Sequence, residues 1–428
     1  MSVLGSFNIG VTGLKAHGGS MSVIGDNIAN ASTFGYKASR GEFQDLLSRS
    51  LKGIDGGDQI GSGVKLAHIT PMFNQGTVSR TENITDLALN GPGFFMVDSP
   101  QGRAFTRDGS FRLDREGNLT TSDGHKVIGY EGDGNGNIST KLGNIGIGST
   151  TIAAKATQEM KMLMNLDSRE VNKEFNAEKP YETSNFNTGV TVFDNVGTER
   201  LVQIFFNKSE DNKWSYHAMV DGADAEGGVP GKMVEMANGT LAYNENGQLQ
   251  ESQEGSNSFN FNKGAKKDQK IKFNFGKSVA QGGNGTEAAT QYGSRSSVSR
   301  QYAQDGSSAA TLLSLSFNDN GVLTASYNNG VTRDVAQIAV ARFDNNEGLT
   351  KMGKNLFKDT KKSGQAAVGQ PGLDGRGEVL SKSIEMSNVD LADEFINLMN
   401  AQRNFQANTK TITTSDQMLQ EVLNIKRN

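Results

Sequence analysis

A few side-chain spacings in this chain could do chemistry, and each lacks a residue that its chemistry needs. Gly276-Lys277-Ser278 has the end of a phosphate-binding loop, whose backbone N–H groups would cradle a nucleotide. The glycine required five positions earlier is Ile271, so the cradle cannot close. Asp133-Gly134-Asn135-Gly136-Asn137 opens like a calcium loop, with oxygen donors at alternate positions. Ile138 stands where that loop turns on a glycine, and Asn144 where a bidentate acid belongs, so a plain turn is expected. The four histidines, His17, His68, His125 and His217, are far apart in sequence and form no metal-ligand pair. Asp114 and Glu116 could serve as acid and base in glycoside chemistry, but acids at such spacing are ordinary in turns. No Gly-x-Ser-x-Gly elbow occurs. The absence of Cys removes disulfides, zinc fingers, thiol catalysis and iron–sulfur ligation together. The residues predict no enzyme, no cofactor and no metal.

Composition narrows the classes further. Lys and Arg number 43 against 47 Asp and Glu, a formal charge of −4, which argues against a strongly basic nucleic-acid surface. Only 35% of the 428 residues are apolar, and their runs are short, as at Phe94 to Val97. None approaches the ~18–20 residues that cross a bilayer, and no membrane insertion is expected. Gly is abundant at 52 and Pro scarce at 6, so tight turns are expected without proline-rich linkers. Met1-Ser2-Val3-Leu4-Gly5-Ser6-Phe7 lacks the basic start and continuous apolar run of a cleaved signal peptide.

The two ends read as helices. Phe7, Leu14, Met21 and Ile28 recur every seven residues, with Leu4, Val11, Gly18 and Gly25 on an offset row. That alternation is the seam of a helix that packs on another helix. A helix over residues 3 to 30 would be about 42 Å long at ~1.5 Å per residue, and its glycines would admit a neighbouring backbone at ~1 kcal/mol each in propensity. At the other end Leu391, Leu398, Phe405, Ile412 and Leu419 sit one heptad apart, with a mixed companion row of Phe395, Gln402, Thr409, Asp416 and Leu423. Ser387 is the expected N-cap, with Asp390 three residues on. Asp393 and Glu394 near the start, and Lys426 and Arg427 at the end, match the helix dipole.

Between the ends the period is two. Leu313-Leu315-Phe317, the turn Asp319-Asn320-Gly321, Leu323-Ala325-Tyr327 and the turn Asn328-Asn329-Gly330 spell a β-meander. Trp214-Tyr216-Ala218-Val220 and Ile271-Phe273-Phe275 alternate likewise, and Leu201 to Phe206 suits a central strand. Residues 251–310 are poor in apolar side chains and are expected as loops or a surface excursion. The expected fold is α+β, predominantly β: paired terminal coiled-coil helices enclosing two consecutive β-rich domains. The terminal helical part takes 1–32 and 384–428, connecting segments 33–70 and 364–383, an inner β-domain 71–150 and 333–363, and an outer one 151–332. A seam on each helix must be buried, which points to further copies of the chain packing around the pair; a helical hairpin closed within one monomer is the plainer option.

Four separated segments resemble the axial proteins of the bacterial flagellum, the rod and hook family. They are Asn27-Ile28-Ala29-Asn30 with Phe34-Gly35-Tyr36-Lys37; Asn90-Gly91-Pro92-Gly93-Phe94-Phe95, leading into Phe105-Thr106-Arg107-Asp108-Gly109; Gly353-Lys354-Asn355-Leu356-Phe357; and Ser387-Asn388-Val389-Asp390, followed by Gln402-Arg403-Asn404-Phe405-Gln406-Ala407-Asn408. Asn165-Leu166-Asp167-Ser168 and Thr191-Val192-Phe193-Asp194 match more loosely and look like the outer domain of the hook branch, which rod members lack.

The resemblance implies a homopolymeric hollow tube, lined by the terminal helices, that works as a universal joint in swimming motility. It implies an extracellular place in the flagellum, export through the type III apparatus without a cleaved signal, and assembly under a hook cap protein. Its neighbours would be the distal rod protein and the hook–filament junction protein. The polymer interface is expected along Leu4, Phe7, Val11, Leu14, Met21 and Ile28, and along Leu391, Phe395, Leu398, Phe405, Ile412 and Leu419. Sliding contacts should be polar and hydrated, because close-packed cores resist small displacements; a mean hydropathy of −0.51 suits such β-domains. Two alternatives stand beside it: a distal rod subunit, and a monomeric β-rich adhesin or carbohydrate-binding protein.

Overall fold

The computed structural model describes residues 3–47, 49–50, 59–133, 136–283 and 287–425. Strands hold 44% of residues and helices 17%, so the fold is α+β and mainly β, with a helix at each end. Two compact units form: Met1–Gly148 with Ser314–Ala325 and Thr332–Asn428, and Ser149–Leu313 with Ser326–Val331. The expected meander is present as the strands Ala310–Phe317, Val322–Tyr327 and Thr332–Ile338, with Gly321 and Gly330 at φ of +68° and +81° in its turns.

In the first unit the strand Phe94–Ser99 is central. It pairs antiparallel with Gly102–Thr106, Lys126–Gly132 and Val340–Arg342. Phe95 and Val97 face a core of Leu87, Phe111, Val127 and Ile338. Phe94 and Met96 face Phe105, Phe343 and Phe357 on the other side. Burial of both faces is why this run is apolar without alternation. Gly91 and Gly93, at φ of +105° and +135°, make the bend before it, and the Gly377 N–H closes it by donating to Pro92 O at 2.7 Å.

The second unit has two sheets around one core. Five antiparallel strands run in order Phe186–Phe193, Glu199–Glu210, Lys213–Asp221, Met233–Tyr243 and Leu249–Asn257. Opposite them, Glu159–Asp167 runs parallel to Lys272–Asn274 and Thr290–Tyr292, and antiparallel to Ser297–Gln304. Met160, Met162, Met164 and Leu166 meet Val202, Ile204, Phe206, Trp214 and Tyr216 between the sheets. The loop reading of residues 251–310 is corrected here. Phe259, Phe261, Ile271, Phe273 and Phe275 are core residues, set singly among Ser, Asn and Lys, so the alternation at Ile271-Phe273-Phe275 was the better guide than the overall composition.

The terminal helices are α1, Val3–Ala29, and α2, Leu391–Ile425. They run antiparallel: a Cβ on Gly10 would meet Ile412, one on Gly13 would meet Asn408, one on Gly18 would meet Phe405, and Asn27 bonds Glu394. On α2 the row Leu398, Phe405, Ile412 and Leu419 is partly buried, as its spacing predicts, while Leu391 at the head of that row is exposed. Its companion differs from the expected row: Glu394, Ala401, Asn408 and Ser415 turn inward, while Phe395, Gln402, Thr409, Asp416 and Leu423 are exposed. On α1 the buried positions are Gly10, Gly13, Ala16, Ile24 and Asn27. Phe7, Val11, Leu14, Met21 and Ile28 are only half-buried; the heptad row of Phe7, Leu14, Met21 and Ile28 lies roughly 90° round the helix from the buried positions, at about 100° per residue. The close-approach glycines are therefore Gly10 and Gly13, whereas Gly25 has open space beside it. Side chains choose the apolar row, but backbone proximity chooses the small one.

The N-cap of α2 is Asp390, not Ser387. Asp390 Oδ1 accepts the N–H groups of Ala392 at 2.8 Å and Asp393 at 3.3 Å, and its carbonyl takes the first helical bond, from Glu394 N. Ser387 Oγ instead holds Val389 N at 3.3 Å in the turn before. The side chain of Leu4, with Lys426, Arg427, Gly134 and Asn135, lies outside the described residues.

Candidate functional site: the junction of the terminal motifs

The motif residues at the two chain ends converge in the first unit. As α1 ends, Asn30 Nδ2 donates to Asp26 O at 2.9 Å, and its Oδ1 accepts from Thr33 Oγ1 at 3.1 Å, closing the last turn. Gly35 then takes φ of +64°, with its α-carbon against the Arg107–Asp108 backbone, where any Cβ would clash. That reversal buries Tyr36, Lys37 and Ala38. Asn27, itself buried, bonds the Ser39 backbone through both its N–H at 2.8 Å and its carbonyl at 2.9 Å.

At the centre is Glu385, in the strand Ser383–Glu385. Its Oε1 accepts from Lys37 Nζ at 2.6 Å and from Gly76 N at 2.9 Å. Its Oε2 accepts from Arg107 Nη1 at 3.3 Å. Arg107 also donates to Gly91 O at 2.7 Å and lies 5.4 Å over the Phe94 ring. Lys37 spends a second proton on Asn74 O at 2.7 Å. Burial pulls the Lys37 ammonium below its ordinary range, and Glu385 opposes that pull. Burial does the same to Arg107. Two cations and one anion thus share a site from which water is excluded, held by charge-assisted bonds and backbone carbonyls.

A second layer encloses the first. Asn388 Oδ1 accepts Ala38 N at 2.8 Å while its Nδ2 donates to Met72 O at 2.9 Å. Lys351 Nζ reaches Ser39 Oγ at 2.8 Å and lies 4.8 Å over the Tyr36 ring. Tyr36 donates to Asp26 Oδ2 at 3.0 Å, and burial, with that carboxylate beside it, pushes its phenol up. Asn355 Nδ2 donates to Phe34 O at 3.0 Å. The arrangement binds chain segments together by complementary charge and hydrogen bonds.

The junction thus gathers Asn27, Asn30, Phe34, Gly35, Tyr36, Lys37, Gly91, Phe94 and Asn388. Asn90 pairs with Glu378 beside it, Gly93 passes Val340 in the bend, and Phe95 belongs to the core. Val389 is half-buried before α2; Gln402, Arg403 and Gln406 are exposed on α2, and Asn408 faces Gly13. Glu385, Asn74 and Lys351 carry no local signal: a lone acid in a short strand reads as a surface residue. Of the groups weighed for catalysis, Asp114 accepts from Glu116 N and from Asn118 N at 2.8 and 2.7 Å, a turn arrangement. His217 stacks on Phe175 at 3.8 Å and meets Glu235 at 2.8 Å. Among the described residues no group of three His, Asp or Glu is placed to hold a metal.

Comparison with known proteins places these features. Residues 7–37 match the model described as flagella basal body rod protein, and 88–158 the flagellar hook protein FlgE/F/G D1 domain. Residues 165–307 match the flagellar basal body protein FlaE D2 domain, and 380–425 the flagellar basal body rod FlgEFG protein C-terminal model. The chain is 33% identical to the flagellar hook protein FlgE of Escherichia coli, over 98% of this chain and 100% of the relative. The chain belongs to the flagellar hook protein FlgE family. FlgE of Salmonella typhimurium is 32% identical over 98% of this chain and all of its own length. FlgE of Borreliella burgdorferi is 31% identical over 97% of this chain and 98% of its own. The crystal structure of Helicobacter pylori flagellar hook protein FlgE2 shares the fold at a TM-score of 0.53 and 15% identity, covering 72% of this chain and all of that one. Within the FlgE family chain, the junction lies where the first and last matched segments meet the D1 match.

Proposed function

We propose that this FlgE family chain is a structural subunit of the bacterial flagellar hook. It polymerises into a curved hollow tube and passes torque from rod to filament as a universal joint. The observation that carries this reading is the helix pair. One chain leaves Phe7, Val11, Leu14, Met21 and Ile28 half-covered and Leu391 and Phe395 exposed, so apolar rows flank the intrachain contact on a protein of a self-assembling family. Further copies of the chain would cover them. In this reading residues 1–32 and 384–428 line the channel, 71–150 with 333–363 form the inner β-domain, and 151–332 the outer one. The helices hold the tube together, and the polar β surfaces slide as it bends. Export through the type III apparatus, assembly under the cap protein, and contacts to the distal rod and hook–filament junction proteins belong to the same proposal.

The test is electron microscopy of the purified chain at high concentration, in salt that favours polymerisation. Curved tubes of uniform diameter are expected. Straight tubes would move the chain to the rod, and monomers whose helices resist protease would overturn the polymer.

A further inference from the structure

The junction is built as a socket and a plug. The socket forms from strand ladders that do not involve the N-terminal motif: Glu378–Ser381 pairs with Leu87–Asn90, and Ser383–Glu385 with Val78–Arg80. These ladders fix Glu385 beside Arg107. The plug, residues 33–38, has no strand of its own. It is held the way a bound peptide is held, with main-chain bonds for affinity and one side-chain pocket for specificity. Gly35 N donates to Glu385 O at 2.8 Å, Ala38 N to Asn388 Oδ1 at 2.8 Å, and Phe34 O accepts from Asn355 at 3.0 Å. The Lys37 side chain fills the pocket, with no exposure at either partner of its ion pair. Gly35 provides the selectivity of shape, since a Cβ there meets the Arg107–Asp108 backbone.

We propose that this socket is a peptide-recognition site for a Gly-Tyr-Lys-Ala segment, and that it accepts the segment from a second copy of the chain as well as from its own. The contacts are the same whichever copy supplies the plug, so exchange preserves them; its cost is the opening of the plug together with the release of α1 from α2, since α1 must follow the plug. In an assembly, high local concentration of neighbouring plugs offsets that cost. The recognition stands apart from the hook reading, because it needs no tube.

The test uses two full-length variants. In Gly35→Val/Lys37→Met the plug is spoiled and the socket intact; in Glu385→Gln the plug is intact and the socket spoiled. The first should become cleavable at Tyr36, which is buried in the unsubstituted chain. It should then bind a fluorescent peptide of residues 30–40, and about tenfold or more weakly the same peptide with Lys37→Met, a charged bond in a buried site being worth at least that factor. Mixing the two variants below the polymerisation concentration should give a heterodimer by sedimentation, with neither variant dimerising alone. Continued protection of Tyr36 in the double variant would overturn the recognition role of Gly35 and Lys37. Equal binding of the two peptides would do the same, and absence of the heterodimer would overturn exchange between copies.

Discussion

Lys37 and Glu385, 348 residues apart in sequence, meet at 2.6 Å with neither side chain exposed to solvent. One residue follows the N-terminal helix by eight positions and the other precedes the C-terminal helix by six. The ion pair is therefore the point where both helices are tied to the same β core. Arg107, the second cation on Glu385, belongs to that core. A buried pair of this kind contributes little against a well-packed apolar replacement, but loss of one partner leaves a charge with nowhere to go.

Glu385→Gln leaves Lys37 and Arg107 buried together without an anion, and is expected to destabilise the first unit by about 3–5 kcal/mol. Removing the stranded charge as well, in Lys37→Met/Glu385→Gln, should recover part of that loss. Trp214 is the sole tryptophan and is buried in the second unit, so its fluorescence reports that unit alone. Calorimetry should show the first unit melting earlier while the Trp214 transition stays in place. A Trp214 transition that fell equally would show that the junction is not local to its unit.

The terminal helices and the meander were legible in the sequence because their signals are local: a heptad and two glycine turns. Segment resemblance also brought Gly35, Lys37 and Asn388 to attention. What joins them was not legible. Glu385 acquires meaning only when ladder pairing brings it beside Arg107, and no spacing rule connects residues so far apart. The companion rows were misjudged for a related reason. Heptad reading follows apolar side chains, whereas Gly10, Gly13, Ala401 and Ser415 mark the close contact by being small. Within residues 251–310 the alternation Ile271-Phe273-Phe275 was legible, whereas Phe259 and Phe261 were not, because polar neighbours dilute them.

The two kinds of helix glycine should respond oppositely to alanine. A methyl on Gly25 would have no described atom within 4 Å, so Gly25→Ala should gain helix propensity, ~1 kcal/mol. Gly13→Ala places a methyl against the Asn408 side chain, which is tied to Asn404 O at 2.8 Å. Asn408 must then break that bond or α2 must move away, and the propensity gain is offset. Thermal melts followed at the helical circular dichroism band should rise for Gly25→Ala and fall or stay level for Gly13→Ala. The reverse order would contradict the antiparallel register.

Alkali should loosen the second unit. Burial raises the phenol of Tyr243, and burial with Glu254 nearby raises that of Tyr216, both above the ordinary 10.0. The unfolded chain therefore releases these protons first. Stability from both groups is fully present below pH 10.0 and is lost progressively above it, because the folded state binds more protons there. Urea midpoints read from Trp214 should decline above about pH 10. Tyr243 Oη is buried with no hydrogen-bond partner among the described residues, so Tyr243→Phe should remove part of that decline at little or no cost near neutrality. An unchanged decline in Tyr243→Phe would assign it to other groups.

Phe405 tests the division between cohesion and bending. It is half-buried on the inward row of α2, opposite Gly18, where the glycine leaves room for an aromatic ring. Phe405→Asp sets a carboxylate in that place; burial without a partner costs several kcal/mol, so the helices are expected to part instead. The β cores contain none of this contact, as Phe405 belongs to none of the three buried clusters. The expected result is an unchanged Trp214 transition, reduced helicity and no tubes by electron microscopy. Normal tubes from Phe405→Asp would mean that the helix seam does not hold the polymer, and cohesion would have to be sought in the β units.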